Sequence, residues 1–115
     1  MRKLIKSFGY AFSGVAYAFK TQLNFKIHSL ALVLVGLLGW YVDLSVQDWI
    51  YIIIVTGIVI MAELFNTALE VLVDLVSPAY HGKAKIVKDV AAAAVLLAAI
   101  LAVAVGLVIF IPKLI

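Results

Sequence analysis

Four polar residues share one face of an otherwise apolar helical segment, and their side chains are well suited to chemistry. Glu63, Asn66, Glu70 and Asp74 are spaced i, i+3, i+7 and i+11, which places them in a narrow sector of a helix. Each charged side chain near the centre of a bilayer costs on the order of 2.5–3.5 kcal/mol on insertion scales. Such a stripe of acids in an apolar helix therefore indicates a functional site.

A lysine and an aspartate, Lys88 and Asp89, open the last apolar run and can face this stripe, with Lys88 offering a cation for phosphate. One interpretation is a structural network in which Glu63 or Glu70 pairs with Lys88, and another is a proton relay or an ion-coupled carrier. The third is phosphoryl transfer, in which carboxylates hold Mg²⁺ together with substrate phosphates and a deeper carboxylate acts as base toward a lipid hydroxyl. We favour phosphoryl transfer, because a relay explains neither the lysines and histidine of the loop 79–85 nor the clustering of the acids toward one side.

The composition is that of a small membrane protein with one domain. The chain has 115 residues, of which 67% are hydrophobic and 13% charged, whereas soluble domains have about 45–50% apolar and about 25% charged residues. The absence of cysteine excludes disulfides and thiol chemistry, and the glycines form no Walker loop, which excludes a P-loop kinase. The net charge of +3 suits anionic lipid and phosphate ligands, because the basic residues flank apolar runs, and we expect no nucleic-acid partner.

The expected fold is an all-α membrane protein with an interfacial amphipathic helix followed by three transmembrane helices. These elements are predicted at residues 4–19, 27–42, 49–76 and 88–111. The first has an apolar stripe, and the alternative is that it forms the N-terminal turn of the first span. Ser77-Pro78 ends the second span, and a loop is expected from there to Lys88.

The basic residues predict the orientation in the cell inner or plasma membrane. They precede the first span or lie between the second and third: Arg2, Lys3, Lys6, Lys20, Lys26, Lys83, Lys85 and Lys88. The turn at 43–48 has two aspartates and no lysine or arginine. The positive-inside rule thus places the N-terminus and the 77–88 loop in the cytoplasm and the C-terminus outside.

Two segments, 62–74 and 88–95, resemble the small prokaryotic diacylglycerol kinase and undecaprenol kinase family. The pattern Glu-x-x-Asn-x-x-x-Glu-x-x-x-Asp with a downstream Lys-Asp carries the resemblance, which extends over the whole chain and includes Gly9-Tyr10 and Asn24–His28. It implies an integral-membrane lipid kinase that uses ATP and Mg²⁺. It also implies a homotrimer whose active sites are shared between subunits.

The resemblance assigns roles to individual residues. Glu63 matches the catalytic base, Asn66 its polar partner one turn away, and Glu70 a carboxylate that holds the nucleotide-bound Mg²⁺. The residues expected at or around ATP are Tyr10, Glu70, Asp74, Tyr80, His81, Lys88 and Asp89. The roles of Tyr10 and His81 rest on the resemblance alone, since an interfacial anchor and a solvated loop residue are the alternatives.

One departure from the family pattern concerns the metal. Gln22 stands where the family usually has a second metal-holding glutamate, and a glutamine offers a carbonyl oxygen without charge. Either Glu70 and the ATP phosphates suffice, or the chain is a weakened, non-enzymatic or engineered homologue. The segment Asn24–His28 looks more like the undecaprenol kinase branch, so we favour phosphorylation of undecaprenol to undecaprenyl phosphate over that of diacylglycerol to phosphatidic acid.

Overall fold

The computed structural model describes all residues, 1–115, and consists of four helices. They are α1 (Arg2–Thr21), α2 (Leu23–Tyr41), α3 (Val46–Val76) and α4 (Gly82–Leu114). The last three are long and apolar enough to cross a membrane. The predicted all-α fold with an N-terminal helix and three spans is confirmed.

Gln22 separates α1 from α2, because its backbone is extended (φ −110°, ψ 111°) and interrupts the helical hydrogen-bond ladder. The N-terminal segment is therefore a helix of its own rather than the first turn of α2. Most of its aromatic and aliphatic side chains are exposed, and Ala18 is its only buried residue. This leaves the apolar stripe of α1 free to lie against another surface.

Polar caps determine where α3 and α4 begin. The Ser45 side chain accepts a hydrogen bond from the Asp48 N–H (3.1 Å), and His81 Nδ1 accepts one from the Lys83 N–H (3.1 Å). The prediction of a loop as far as Lys88 is wrong, since the His81 cap starts α4 at Gly82. Asp89 accordingly lies inside α4, two turns past its start.

The turn between α2 and α3 is tightly packed. Asp43 adopts a left-handed conformation (φ 56°), and a Cβ on Gly39 would come within 2.8 Å of the Trp49 ring and 2.9 Å of Leu44 Cδ1. Leu44 joins a small core with residues of α3 and α4: Ile52, Ile109 and Phe110. The turn thus holds α2 antiparallel to α3.

Helices α3 and α4 form the main helix pair, and α2 and α1 pack against α3. Only 15 of the 115 residues are buried, and large apolar side chains such as Leu97 and Val108 are 69% and 75% exposed. At about 1.5 Å per residue, α3 and α4 are each longer than the roughly 30 Å hydrocarbon core, so each extends beyond it. The exposed apolar surface is that of a chain covered by lipid or by other subunits.

Candidate active site

Glu63 is the most deeply buried polar residue, with 1% of its surface exposed. Its Oε1 lies 2.5 Å from Nδ1 of His28, which is 35 residues earlier in the sequence and on α2. A carboxylate buried among apolar helices needs such a partner, because burying a charge without one is costly. The pair therefore ties α2 to α3 and keeps a carboxylate inside the protein.

A second polar pair follows one to two turns along α3. Asn66 Nδ2 donates to Glu70 Oε1 (3.1 Å), while Asn66 Oδ1 is buried without a hydrogen-bond partner. Buried polar atoms are rarely left unsatisfied, so an unpartnered carbonyl oxygen beside a carboxylate marks a place that a donor or a cation can complete. Nearby Thr67 donates to the Glu63 carbonyl oxygen (2.9 Å) and is occupied within its own helix.

The C-terminal end of the predicted stripe carries an exposed ion pair. Lys88 Nζ lies 2.6 Å from Asp74 Oδ1 and joins the end of α3 to the start of α4. The alternative interpretation, in which Lys88 pairs with Glu63 or Glu70, does not hold, because the ion-pair partner of this lysine is Asp74. Asp89 instead pairs with Lys85 of its own helix at 2.6 Å.

The remaining predicted residues lie outside this cluster of contacts. Tyr10 on α1 and Tyr80 before α4 are 73% and 85% exposed. His81 is the N-cap of α4. Gln22 is half-buried at the junction of α1 and α2 and makes no side-chain cap bond. No three His, Asp or Glu side chains come close enough together to hold a metal without further ligands.

A cavity of about 370 Å³ lies beside the buried acid and is lined by residues of α2, α3 and α4. Thirteen of its 16 lining residues are hydrophobic, and the others are His28, Thr56 and Gly106. The Thr56 hydroxyl donates to the Ile52 carbonyl oxygen (2.7 Å), so it can only accept from a molecule in the cavity, and His28 is the other polar side chain there. On α3 the cavity spans residues 52–60, followed by Glu63 and then by the Asn66–Glu70 pair.

His28 is the residue of this site for which the sequence predicted no role. From the sequence it is identified only as the last residue of Asn24–His28, a segment that resembles the family. A signal was nevertheless present, since an ionisable residue at the start of an apolar span needs a partner of opposite charge. Glu63 is that partner.

Fold and site together define a small helical membrane protein with a buried carboxylate between an apolar cavity and a polar, phosphate-compatible helix end. The model of the prokaryotic diacylglycerol kinase family matches residues 9–110, and the chain belongs to this family. This membership makes it a multi-pass membrane protein and a lipid kinase.

The names of individual relatives give different lipids as the acceptor of the phosphoryl group. The chain is 39% identical over 114 residues to the undecaprenol kinase of Bacillus subtilis, covering 99% of this chain and 93% of that protein. It is 47% identical over 112 residues to the diacylglycerol kinase of Synechocystis sp., covering 96% of this chain but 64% of that protein. The diacylglycerol kinase of Escherichia coli K12 is 30% identical over 101 residues, covering 88% and 83% of the two chains.

Proposed function

We propose that the chain transfers the γ-phosphoryl group of ATP to the hydroxyl of undecaprenol, with Mg²⁺, at the cytoplasmic face of the membrane. The order of features along α3 carries this proposal: an apolar cavity, then the buried Glu63–His28 pair, then the polar Asn66–Glu70 pair. A lipid chain in the cavity brings its hydroxyl to the acid, and the phosphates of ATP meet it from the polar side. Positioning of this kind is the main part of phosphoryl-transfer catalysis.

The cavity favours a single-chain acceptor. It is lined by α2, α3 and α4, and its polar side chains are only those of His28 and Thr56. Undecaprenol has one hydrocarbon chain and one hydroxyl, whereas diacylglycerol has two acyl chains and ester groups that need further partners. The match to the B. subtilis undecaprenol kinase over nearly the whole of both chains agrees with this choice. Diacylglycerol is the second candidate, favoured by the 47% identity to the Synechocystis protein.

Glu63 supplies the negative charge that drives removal of the hydroxyl proton, the role of base that the sequence predicts. The acid is buried beside the cavity, where a fixed charge interacts more strongly than in water. Its exclusion from solvent also keeps water from competing with the lipid hydroxyl for the phosphoryl group.

The residues near Glu70 fit a Mg²⁺ ion that arrives with the nucleotide. Mg²⁺ is commonly held by one or two carboxylates, with phosphates and waters completing its shell. Glu70 provides a carboxylate, and the unpartnered Asn66 Oδ1 adds an uncharged oxygen beside it. Gln22 lies six residues before His28 on α2, and Glu70 lies seven residues after Glu63 on α3. Because the two helices are antiparallel, both residues lie about 10 Å along the helix axes from the His28–Glu63 contact, toward the same end of the helix pair. Gln22 is thus a candidate second ligand, and when bound the ion offsets the phosphate charge.

We further propose a homotrimer in which neighbouring subunits complete each nucleotide site. Tyr10, Tyr80 and the Lys85–Asp89 pair are exposed and do not reach the α3 stripe of their own chain. A neighbouring chain can bring these residues to ATP, with Lys88 and His81 at the same end of the molecule. The distribution of lysine and arginine supports a cytoplasmic N-terminus and an external C-terminus.

The acceptor is tested with purified protein in mixed micelles containing γ-labelled ATP and Mg²⁺, with undecaprenol and diacylglycerol offered at equal mole fraction. We expect label mainly in the undecaprenol, abolished by EDTA. Preferential labelling of diacylglycerol would transfer the assignment to the second candidate. Absence of label in both lipids, from the native chain and from a Gln22→Glu variant alike, would contradict the proposed activity.

A further inference from the structure

The wall that α4 gives to the apolar cavity contains three small residues. Ala99, Ala102 and Gly106 all line the cavity, and their i, i+3, i+7 spacing puts them on one face of the helix. The walls from α2 and α3 carry mostly larger side chains, such as Leu32 and Ile52. The space between the three helices therefore exists in part because side-chain volume is missing from α4.

Gly106 lies further along the cavity than the buried acid. The Lys88–Asp74 pair sets the register of the antiparallel helices α4 and α3. Counted from this contact, Gly106 comes level with Thr56, and both residues line the cavity. Thr56 precedes Glu63 by seven residues, so Gly106 lies about 10 Å from the acid along the helix axes. A lipid whose hydroxyl reaches the acid therefore brings its hydrocarbon chain, and not its hydroxyl, to Gly106.

Nothing in the fold requires a glycine at this position. Gly106 is half-buried within α4 and has no positive φ, and a Cβ on it would meet nothing within 4 Å. A Cβ on Gly39, by contrast, would collide with the Trp49 ring. Glycine in a helix interior destabilises the helix relative to alanine, and protein interiors normally fill such space. An unfilled position beside a cavity, kept at a cost in stability, is explained by a ligand that occupies the space.

We propose that Gly106 is a specificity-determining residue, which keeps the inner part of the cavity open for the hydrocarbon chain of a long prenol. This inference rests on the proposed lipid kinase function and deepens it, since it names the residue that selects the acceptor by its chain. Near its hydroxyl, an acceptor meets the residues around Glu63 whatever the length of its chain. Only a chain that reaches about 10 Å past the acid gains the apolar contacts beside Gly106.

The inference is tested with Gly106→Leu in mixed micelles that contain γ-labelled ATP, Mg²⁺ and either undecaprenol or the short prenol geraniol. The leucine fills space that the long chain needs, so we expect the half-saturating mole fraction of undecaprenol to rise roughly tenfold. The maximal rate, the KM for ATP and the half-saturating fraction of geraniol should stay within about twofold of native. The thermal midpoint should equal or exceed that of the native chain, since leucine favours the helix and its Cβ meets no neighbour.

Gly36→Leu is the matched control, because Gly36 is also half-buried in a helix with room for a Cβ but does not line the cavity. It should leave the saturation by undecaprenol unchanged. A half-saturating fraction of undecaprenol within about twofold of native in Gly106→Leu would overturn the inference. Equal effects of the two leucine variants, or equal losses with undecaprenol and geraniol, would also overturn it, because they indicate a general packing defect.

Two smaller substitutions keep the test decisive if Gly106→Leu fails to fold. Gly106→Ala adds one methyl group, for which there is room, and Gly106→Val adds more. We expect the half-saturating fraction of undecaprenol to rise from the native chain to Gly106→Ala and again to Gly106→Val. No rise along this series would overturn the inference. Lack of label from the native chain with both undecaprenol and diacylglycerol would instead refute the proposed function.

Discussion

Gln22 lies at the junction of α1 and α2, where its carbonyl oxygen is a neutral candidate ligand for the nucleotide-bound Mg²⁺. A carboxylate at this position would bind the hard cation more tightly than an amide does. We therefore expect Gln22→Glu to lower the Mg²⁺ concentration for half-maximal activity several-fold. Thr21→Glu is the matched control, since it adds the same charge one residue away. An identical Mg²⁺ titration for Gln22→Glu and the native chain would show that residue 22 is not a ligand.

Lys88 and Lys85 offer a comparison between two lysines in the same helix turn. Each makes an exposed ion pair of 2.6 Å, with Asp74 and Asp89 respectively. Exposed pairs contribute about 0–1 kcal/mol, so neither Lys88→Ala nor Lys85→Ala should change the thermal midpoint much. If Lys88 neutralises the phosphates, Lys88→Ala raises the KM for ATP roughly tenfold, about 1.4 kcal/mol. Lys85→Ala should raise the KM for ATP much less. Equal effects of the two substitutions would show that Lys88 does not neutralise the phosphates.

At the scale of the helices, the turn between α2 and α3 sets how the two spans meet. Gly39→Ala would place a Cβ 2.8 Å from the Trp49 ring, whereas a Cβ on Gly36 in the same helix meets nothing within 4 Å. We expect Gly39→Ala to destabilise the chain by about 1–3 kcal/mol through overpacking. Gly36→Ala should be neutral or stabilising by up to about 1 kcal/mol, since alanine favours the helix. Thermal unfolding in one detergent measures both, and a Gly39→Ala midpoint equal to or above that of Gly36→Ala would contradict the packing.

Apolar runs and helix-breaking residues were sufficient to predict the elements of the fold. Each span showed as an apolar run, of which 90–111 has no charged residue, and Ser77-Pro78 ends α3 as predicted. The sequence predicts the start of α4 too late, because the lysines of segment 83–88 favour a loop, whereas the His81 cap begins the helix at Gly82. Polarity alone does not distinguish an exposed first helical turn from a loop.

From the sequence, the candidate site could be predicted only where its residues lie on one and the same helix. The spacing of Glu63, Asn66 and Glu70 puts them on one face whatever surrounds them. The contact of Glu63 with His28 depends on the register of α2 against α3, which the turn around Gly39 and the packing of side chains determine. The pairing of Lys88 with Asp74 depends in the same way on how α4 lies against α3.

At the scale of the whole molecule, the proposed trimer with shared sites predicts complementation between inactive variants. Asp89 contacts Lys85 of its own helix and not the α3 stripe, so in a shared site it serves a neighbouring subunit. Glu63→Gln and Asp89→Asn should each be inactive alone. Equal amounts reassembled together should recover about a quarter of the native rate, because two intact halves meet at one interface in four. No recovery after subunit exchange, verified by cross-linking of differently tagged chains, would contradict shared sites.

The central claim is that the buried Glu63 drives the chemical step while ATP binds elsewhere along α3. The most direct test measures turnover and ATP affinity in the same micelles for Glu63→Gln, with Asp48→Asn, the same carboxylate-to-amide change in the first turn of α3, as the control. We predict that Glu63→Gln loses at least about 100-fold in turnover, the scale of a proton-transfer contribution, with ATP affinity within about twofold of native. Asp48→Asn should keep both. A Glu63→Gln protein that phosphorylates lipid at a near-normal rate would contradict the account.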